Sequence, residues 1–119
     1  MGYKVLVIDD SPLVFKAVKK ALEPHGYEMA GQAFDGREGL QMVDELKPDI
    51  IILDITMPVM DGLETAKHLS LKNLTKKVIM SSAMGDEELI SKAKHMGITY
   101  FLPKPFKPED LVEAARNLI

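Results

Sequence analysis

The stretch VLVIDDSP, residues 5–12, joins four apolar residues to two adjacent carboxylates, a serine and a proline. The apolar residues predict a buried β-strand, and Ser11 followed by Pro12 is typical of a helix start. Asp9 and Asp10 stand between the two, although aspartate is a poor strand residue and neighbouring carboxylates oppose each other's ionisation. The stretch therefore predicts a strand-to-helix turn at which either solvent or a positive group stabilises two acidic side chains.

Five apolar runs in the chain predict five strands. They lie at residues 3–8, 27–34, 49–53, 77–82 and 99–103. The first, third and fourth runs are almost continuously apolar, which is typical of strands covered on both faces of a parallel sheet. The second run alternates with polar residues, so we expect it at an edge of the sheet.

Helical patterns separate the apolar runs and follow the last one. They predict helices over residues 12–22, 35–46, 63–71, 86–96 and 108–119. Strand and helix thus alternate five times, and parallel strands need such crossover connections. The sequence predicts a single α/β domain over residues 1–119, with an open parallel sheet and helices on both faces.

The composition excludes several classes of protein. A formal net charge of −3 gives no basic face for DNA or an anionic membrane. The absence of cysteine excludes a disulfide framework and a thiol nucleophile. No apolar run approaches the roughly 20 residues of a membrane span or has the form of a signal peptide. We therefore expect a cytoplasmic protein with no nucleic-acid partner and no membrane insertion.

Residues with carboxylate, hydroxyl or ammonium side chains stand at the ends of four of the five apolar runs. Ligands of an open α/β sheet bind at these strand ends. Asp9 and Asp10 follow the first run, and Asp54 follows the third. Ser82 ends the fourth run, and Lys104 follows the fifth. Clustered carboxylates suit a hard divalent cation such as Mg²⁺, and an ammonium and a hydroxyl can hold a phosphoryl oxygen. Each residue alone has a structural explanation, but together they predict a site.

With these residues, the chain resembles the receiver domain of two-component response regulators over essentially its whole length. The matching motifs are Asp9-Asp10, Asp54 with MPVMDG at 57–62, Ser82-Ala83 and Lys104-Pro105-Phe106. Without an output domain, the chain is most similar to stand-alone, CheY-type chemotaxis regulators. The resemblance implies a flavodoxin-like sheet with strand order 2-1-3-4-5.

The resemblance also implies roles for the site residues. Asp54 would be the phosphoacceptor, and Lys104 would pair first with Asp54 and then with the acyl phosphate. Mg²⁺ would be the cofactor, with the carboxylates of Asp10 and Asp54 and the backbone carbonyl of Thr56 as ligands. Asp9 would act on the metal largely through water.

The same resemblance implies a switch. Ser82 would donate a hydrogen bond to a phosphoryl oxygen and move inward on activation, and Phe101 would respond as the switch aromatic. Tyr100 is the alternative if the strand register slips by one residue. The Lys104–Pro105 peptide bond is usually cis in the family. Met84, two residues after Ser82, can neither orient nor activate water, so the lifetime of the phosphoryl group stays open.

The function implied is a phosphorylation-activated signalling switch, not an enzyme with an external substrate. Its partners would be a sensor histidine kinase, of the CheA type in chemotaxis, and a target that binds the face of the fourth helix, fifth strand and fifth helix. The flagellar switch would be that target in chemotaxis, and a phosphatase could act on the phosphorylated form. A phosphorelay intermediate and a receiver cut from a longer regulator stay open as alternatives.

Two other functions fit the sequence less well. A Mg²⁺-dependent phosphatase with an aspartyl-phosphate intermediate usually needs a second aspartate two residues after the nucleophile, where this chain has Thr56. A flavodoxin-like nucleotide binder needs a phosphate-binding first loop, but the loop DDSPLV is acidic and would repel a phosphate.

Overall fold

The computed structural model describes residues 2–57 and 59–119, and these form one sheet of five parallel strands. The strands are β1 (Lys4–Ile8), β2 (Glu28–Ala33), β3 (Ile50–Asp54), β4 (Val78–Ser82) and β5 (Tyr100–Pro103). Their order across the sheet is β2-β1-β3-β4-β5, which confirms the predicted topology and places β2 at an edge. Asp54 is the last residue of β3, so its backbone is held by the sheet and not by the following loop.

Five α-helices connect or follow the strands in the described ranges. They are α1 (Pro12–Leu22), α2 (Gly36–Leu46), α3 (Gly62–Leu71), α4 (Glu87–His95) and α5 (Pro108–Leu118). Two short 3-10 turns, Glu23–His25 and Thr75–Lys77, were not predicted from the sequence. The predicted helices are confirmed to within two residues at each end.

Side chains at the helix starts explain where α1 and α2 begin. The Ser11 hydroxyl accepts a hydrogen bond from the Val14 amide at 3.3 Å, and Pro12 occupies the first turn of α1. The Asp35 carboxylate accepts one from the Glu38 amide at 2.9 Å. The Glu38 side chain in turn accepts from the Phe34 amide, one residue before the cap, so the capping box forms in a shifted version.

The core consists of two apolar clusters, one on each face of the sheet. Because successive strand residues point to opposite faces, each central strand contributes to both clusters. Leu6, Leu53 and Met80 belong to the cluster beneath α2, α3 and α4, whereas Val7 and Ile52 belong to the cluster beneath α1 and α5. Each fully buried side chain of this kind contributes about 1.5–3 kcal/mol to stability. The two-sided core therefore fixes the strands that carry the site.

Two further expectations from the sequence concern one peptide bond and membrane-spanning helices. The Lys104–Pro105 peptide bond is cis, as the resemblance implies. No helix within residues 2–57 and 59–119 is long and apolar enough to span a membrane. Pro58, within the MPVMDG motif, lies outside the described residues.

Candidate functional site

Three carboxylates meet at the carboxyl edge of the sheet. Asp9 and Asp10 follow β1, Asp54 ends β3, and one oxygen from each lies within 4.8 Å of the others. The pairing of Ile8 with Leu53 explains this proximity, because the next residue on each strand is then Asp9 or Asp54. The predicted acidic cluster is therefore present in the structure.

The three carboxylates differ in their exposure to solvent. Asp9 and Asp54 are buried, with 1% and 6% of their surface exposed, whereas Asp10 is exposed. Burying a carboxylate is costly unless it is paired or hydrogen-bonded. The Asp9 carboxylate accepts from the Ser11 amide at 2.9 Å, and Asp54 accepts a long hydrogen bond of 3.4 Å from the Thr56 amide. These two bonds leave several carboxylate lone pairs to be satisfied by other means.

Lys104 supplies a positive charge to the cluster. Its Nζ lies 3.0 Å from Asp9 Oδ2 and 3.2 Å from Asp54 Oδ1, so one ammonium bridges the two buried carboxylates. Burial by itself would lower the pKa of Lys104, but the contact with Asp9 and the attraction of Asp54 outweigh it and raise that pKa. The two carboxylates therefore favour the charged form of Lys104.

One ammonium does not compensate the whole cluster. Three carboxylates and one ammonium leave two negative charges uncompensated. The pKa of Asp54 is raised, mainly by burial and then by the charge of Asp9, despite the nearby lysine. Asp9 Oδ2 is buried, and its partner within residues 2–57 and 59–119 is the ammonium of Lys104, which it shares with Asp54. The site is thus deficient in positive charge.

This deficiency fits a divalent cation. Mg²⁺ binds oxygen ligands in octahedral geometry, keeps several waters and typically uses one or two carboxylates. The cluster offers oxygens from three carboxylates and two negative charges that the one ammonium does not compensate. The residues present therefore fit Mg²⁺, and the exposed Asp10 leaves one side of the cluster accessible to water and to an anionic ligand.

The turn after β3 folds back on the strand that carries Asp54. The Gly62 amide donates to the Ile55 carbonyl at 3.0 Å and brings the start of α3 against the end of β3. A side chain at Gly62 would collide with the Asp54 carbonyl oxygen and with Ile55, so the approach requires glycine. Thr56 is exposed at the top of this turn, beside the carboxylate cluster.

Ser82 ends β4 on the other side of Asp54. It is buried, with 4% of its surface exposed, and its carbonyl accepts from the Lys104 amide at 2.6 Å. This bond ties the loop that carries Lys104 to the end of β4. The predicted hydroxyl and the predicted ammonium therefore come from chain segments that are hydrogen-bonded to each other.

The register of β4 and β5 separates the two candidate switch aromatics. Phe101 pairs with Met80, so it lies on the same face as Ser82, two residues further along β4. Tyr100 pairs with Ile79 and packs on the opposite face, where its hydroxyl donates to the Asn117 carbonyl at 3.2 Å. The predicted register, with Phe101 on the Ser82 face, agrees with the structure.

Three features of the site were missed in the sequence. The first is the ion pair between Lys104 and Asp9, since only Asp54 was expected to pair with the lysine. The second is Ser81, whose fully buried hydroxyl lies beside Asp54 in the register and has no hydrogen-bond partner in the described ranges. The third is Gln32, which binds the loop after β1. Strand alternation could have placed Ser81, but no sequence signal indicates the other two.

Comparisons with known proteins agree with the fold and show the family. The response regulator receiver domain family matches residues 5–116. The chain is 40% identical to the chemotaxis protein CheY of Thermotoga maritima, over 99% of this chain and 98% of that protein. It is 32% identical to CheY of Bacillus subtilis, over 100% and 99% of the two chains. The structure of chemotaxis protein CheY4 of Vibrio cholerae superposes with a TM-score of 0.84 at 33% identity, covering all of both chains.

Proposed function

Because the chain belongs to the response regulator receiver domain family, we propose that it is a phosphorylation-controlled switch of a two-component system, with Asp54 as the phosphoacceptor. One observation carries this proposal. Asp54 holds a buried carboxylate at the end of β3, 3.2 Å from the Lys104 ammonium and within 4.8 Å of the carboxylate oxygens of Asp9 and Asp10. Such a site combines a nucleophilic oxygen with positive charge and room for a cation.

Asp54 would act as a nucleophile toward a phosphoryl donor. One of its carboxylate oxygens forms a bond to the phosphorus of a phosphohistidine or of acetyl phosphate, and the bond from phosphorus to the donor breaks with its electron pair on the donor. The raised pKa of Asp54 makes its ionisation dependent on neighbouring positive charge. Lys104 supplies part of that charge and would then pair with the oxygens of the acyl phosphate.

Asp9, Asp10, Asp54 and the backbone carbonyl of Thr56 would hold Mg²⁺. When bound, the ion supplies positive charge to the phosphoryl oxygens, on which phosphoryl transfer mainly depends. Asp9 is the most deeply buried of the three carboxylates, and its charge also raises the pKa of Asp54. We assign it the outer role, acting largely through water, as the resemblance implies.

Ser82 and Phe101 would transmit the change in charge. A phosphoryl group on Asp54 adds negative charge and acceptor oxygens beside the end of β4, and the Ser82 hydroxyl can donate to them. Phe101 lies diagonally from Ser82 on the same face of the sheet and is half-buried under Lys94, whose Nζ is 5.8 Å from the ring centre. Movement of Ser82 would therefore open or close space for the Phe101 ring.

The partners we propose follow from this switch. A sensor histidine kinase would supply the phosphoryl group, and a target protein would bind the face formed by α4, β5 and α5. The similarity to CheY proteins over nearly their whole length supports a role in chemotaxis, with a CheA-type kinase and the flagellar switch as partners. We also propose that residues 1–119 form a single receiver domain that signals and does not turn over an external substrate.

Intact-mass measurement after incubation with acetyl phosphate tests the proposal. We expect a gain of one phosphoryl group that requires Mg²⁺ and is absent in Asp54→Asn. Asp61→Asn, which changes an N-cap of α3 on the same loop, should still gain the group. Steady release of phosphate from varied monoesters without an adduct would instead indicate a phosphatase. If the protein forms no adduct and releases no phosphate, the acidic cluster has lost its chemistry.

A further inference from the structure

The loop that carries Asp10 is held by a side chain from the neighbouring edge strand. Gln32 Nε2 donates to the Asp9 carbonyl at 2.9 Å and to the Ser11 carbonyl at 3.1 Å. The two carbonyls flank Asp10 on either side. Both hydrogens of one amide nitrogen are thus used to fix the separation of two carbonyls that are two residues apart.

The sheet places Gln32 where it can make these bonds. Gln32 pairs with Val7 in the register of β1 and β2, so its side chain points to the same face of the sheet as Val7. Val7 is two residues before Asp9, which places Gln32 close to the end of β1. The Asp9 amide also donates to the Ala33 carbonyl at 3.0 Å, which continues the pairing beyond the end of β1. The edge strand β2 therefore supports the loop with both a backbone bond and a side chain.

Asp10 has little else to orient it. Its side chain is exposed and makes no hydrogen bond or ion pair with any part of the chain that the structure describes. The direction of its carboxylate toward Asp9 and Asp54 consequently depends on the backbone between Asp9 and Ser11. An octahedral ion such as Mg²⁺ tolerates little displacement of its ligands.

We propose that Gln32 is a positioning residue for the cation site, since its two hydrogen bonds hold the Asp9–Ser11 backbone so that Asp10 can reach a divalent ion together with Asp54. This inference rests on the proposed function, because it takes Mg²⁺ as the ligand. A neutral amide suits the task, as it donates twice without adding charge to a cluster that already carries two uncompensated negative charges. Gln32 does not touch the ion or the phosphoryl group.

Titration calorimetry with MgCl₂ tests the role of Gln32. Gln32→Ala removes both donors, and Gln32→Met removes them while keeping the length of the side chain. Loss of a residue that orients a metal ligand typically weakens binding about 10- to 100-fold, so we expect both variants to raise the Mg²⁺ Kd by at least about 10-fold. Gln41→Ala, an exposed glutamine on α2, is the matched control and should keep the wild-type Kd.

A second readout separates positioning from general stability. We expect the Mg²⁺ concentration for half-maximal phosphorylation by acetyl phosphate to rise in the Gln32 variants, whereas the rate at saturating Mg²⁺ should stay near that of wild type. Urea unfolding without Mg²⁺ should show that Gln32→Met remains folded. An unchanged Kd in a folded variant would overturn the inference and leave the proposed function intact. A wild-type chain that binds no Mg²⁺ would overturn both.

Discussion

Lys104 Nζ lies 3.2 Å from Asp54 Oδ1 and also contacts Asp9, so a single ammonium serves two buried carboxylates. Replacing Lys104 by methionine would leave three carboxylates without this charge. We expect Lys104→Met to slow phosphorylation by acetyl phosphate about 100-fold, the usual effect of losing one group that stabilises developing charge. The same change should tighten Mg²⁺ binding, because the cluster becomes more negative. Lys107→Met, in the following loop and exposed, should change neither quantity.

The raised pKa of Asp54 predicts a specific dependence of stability on pH. Burial, and then the charge of Asp9, makes ionisation of Asp54 harder in the folded than in the unfolded chain. The resulting penalty is absent well below pH 3.8, the ordinary value, because Asp54 is then protonated in both states. It grows between that value and the raised pKa of the folded state, and above that pKa it stays constant. We therefore expect metal-free Asp54→Asn to be more stable than wild type at pH 7, with a difference that disappears toward pH 4.

Urea unfolding at a series of pH values measures this difference directly. Added Mg²⁺ should narrow the gap at pH 7, because it stabilises the wild-type cluster more than the variant with one carboxylate fewer. A variant less stable than wild type at pH 7 would contradict the raised pKa. It would mean that the lysine compensates Asp54 fully.

Replacing Ser81 or Ser82 by alanine should have different effects, although the two residues are adjacent. The Ser81 hydroxyl is fully buried without a partner in residues 2–57 and 59–119, and a buried unsatisfied polar group costs about 1–3 kcal/mol. We expect Ser81→Ala to raise the free energy of unfolding by about 1 kcal/mol and to leave phosphorylation unchanged. Ser82→Ala should change stability less but should remove the response of Phe101 to phosphorylation. Loss of stability in Ser81→Ala would show that its hydroxyl does have a partner.

Phe101 and Tyr100 differ in the face of the sheet that they occupy, so phosphorylation should affect them differently. We expect the ring resonances of Phe101 to shift in NMR spectra when acetyl phosphate and Mg²⁺ are added, since Phe101 shares a face with Ser82. Tyr100 is held by its hydrogen bond to Asn117 on the other face, and its ring should shift less. Tyr100→Phe should cost about 1 kcal/mol of stability through the lost bond and should keep the Phe101 shift. A large shift of Tyr100 with none at Phe101 would reverse the assignment.

The parts of this protein that could be predicted from sequence depend on local patterns. Continuous apolar runs such as Ile50–Leu53 identify strands buried on both faces, and Ser11 with Pro12 identifies the start of α1. Asp54 was predicted because any residue at the end of a buried parallel strand lies at the edge where ligands bind. The acidic cluster therefore followed from strand ends alone, without knowledge of side-chain geometry.

The features that could not be predicted depend on contacts between distant residues. Lys104 contacts Asp9 as well as Asp54 because of the path of the loop after β5, and no local sequence pattern specifies that path. In the sequence, Gln32 is only a polar residue of an edge strand. Its hydrogen bonds could not be predicted because their acceptors lie 21 and 23 residues earlier in the chain. The shifted capping box at Phe34 likewise depends on the exact path of the chain between β2 and α2.

The most direct test of the central claim is to identify the residue that carries the phosphoryl group. Borohydride reduces an acyl phosphate to an alcohol, which would convert a phosphorylated aspartate into homoserine. After incubation with acetyl phosphate and Mg²⁺, reduction and proteolysis, we predict homoserine at position 54 and unmodified Asp9 and Asp10 in the peptide masses. Homoserine at position 9 or 10, or unmodified aspartate at all three positions in a chain whose intact mass shows the adduct, would contradict the assignment of Asp54.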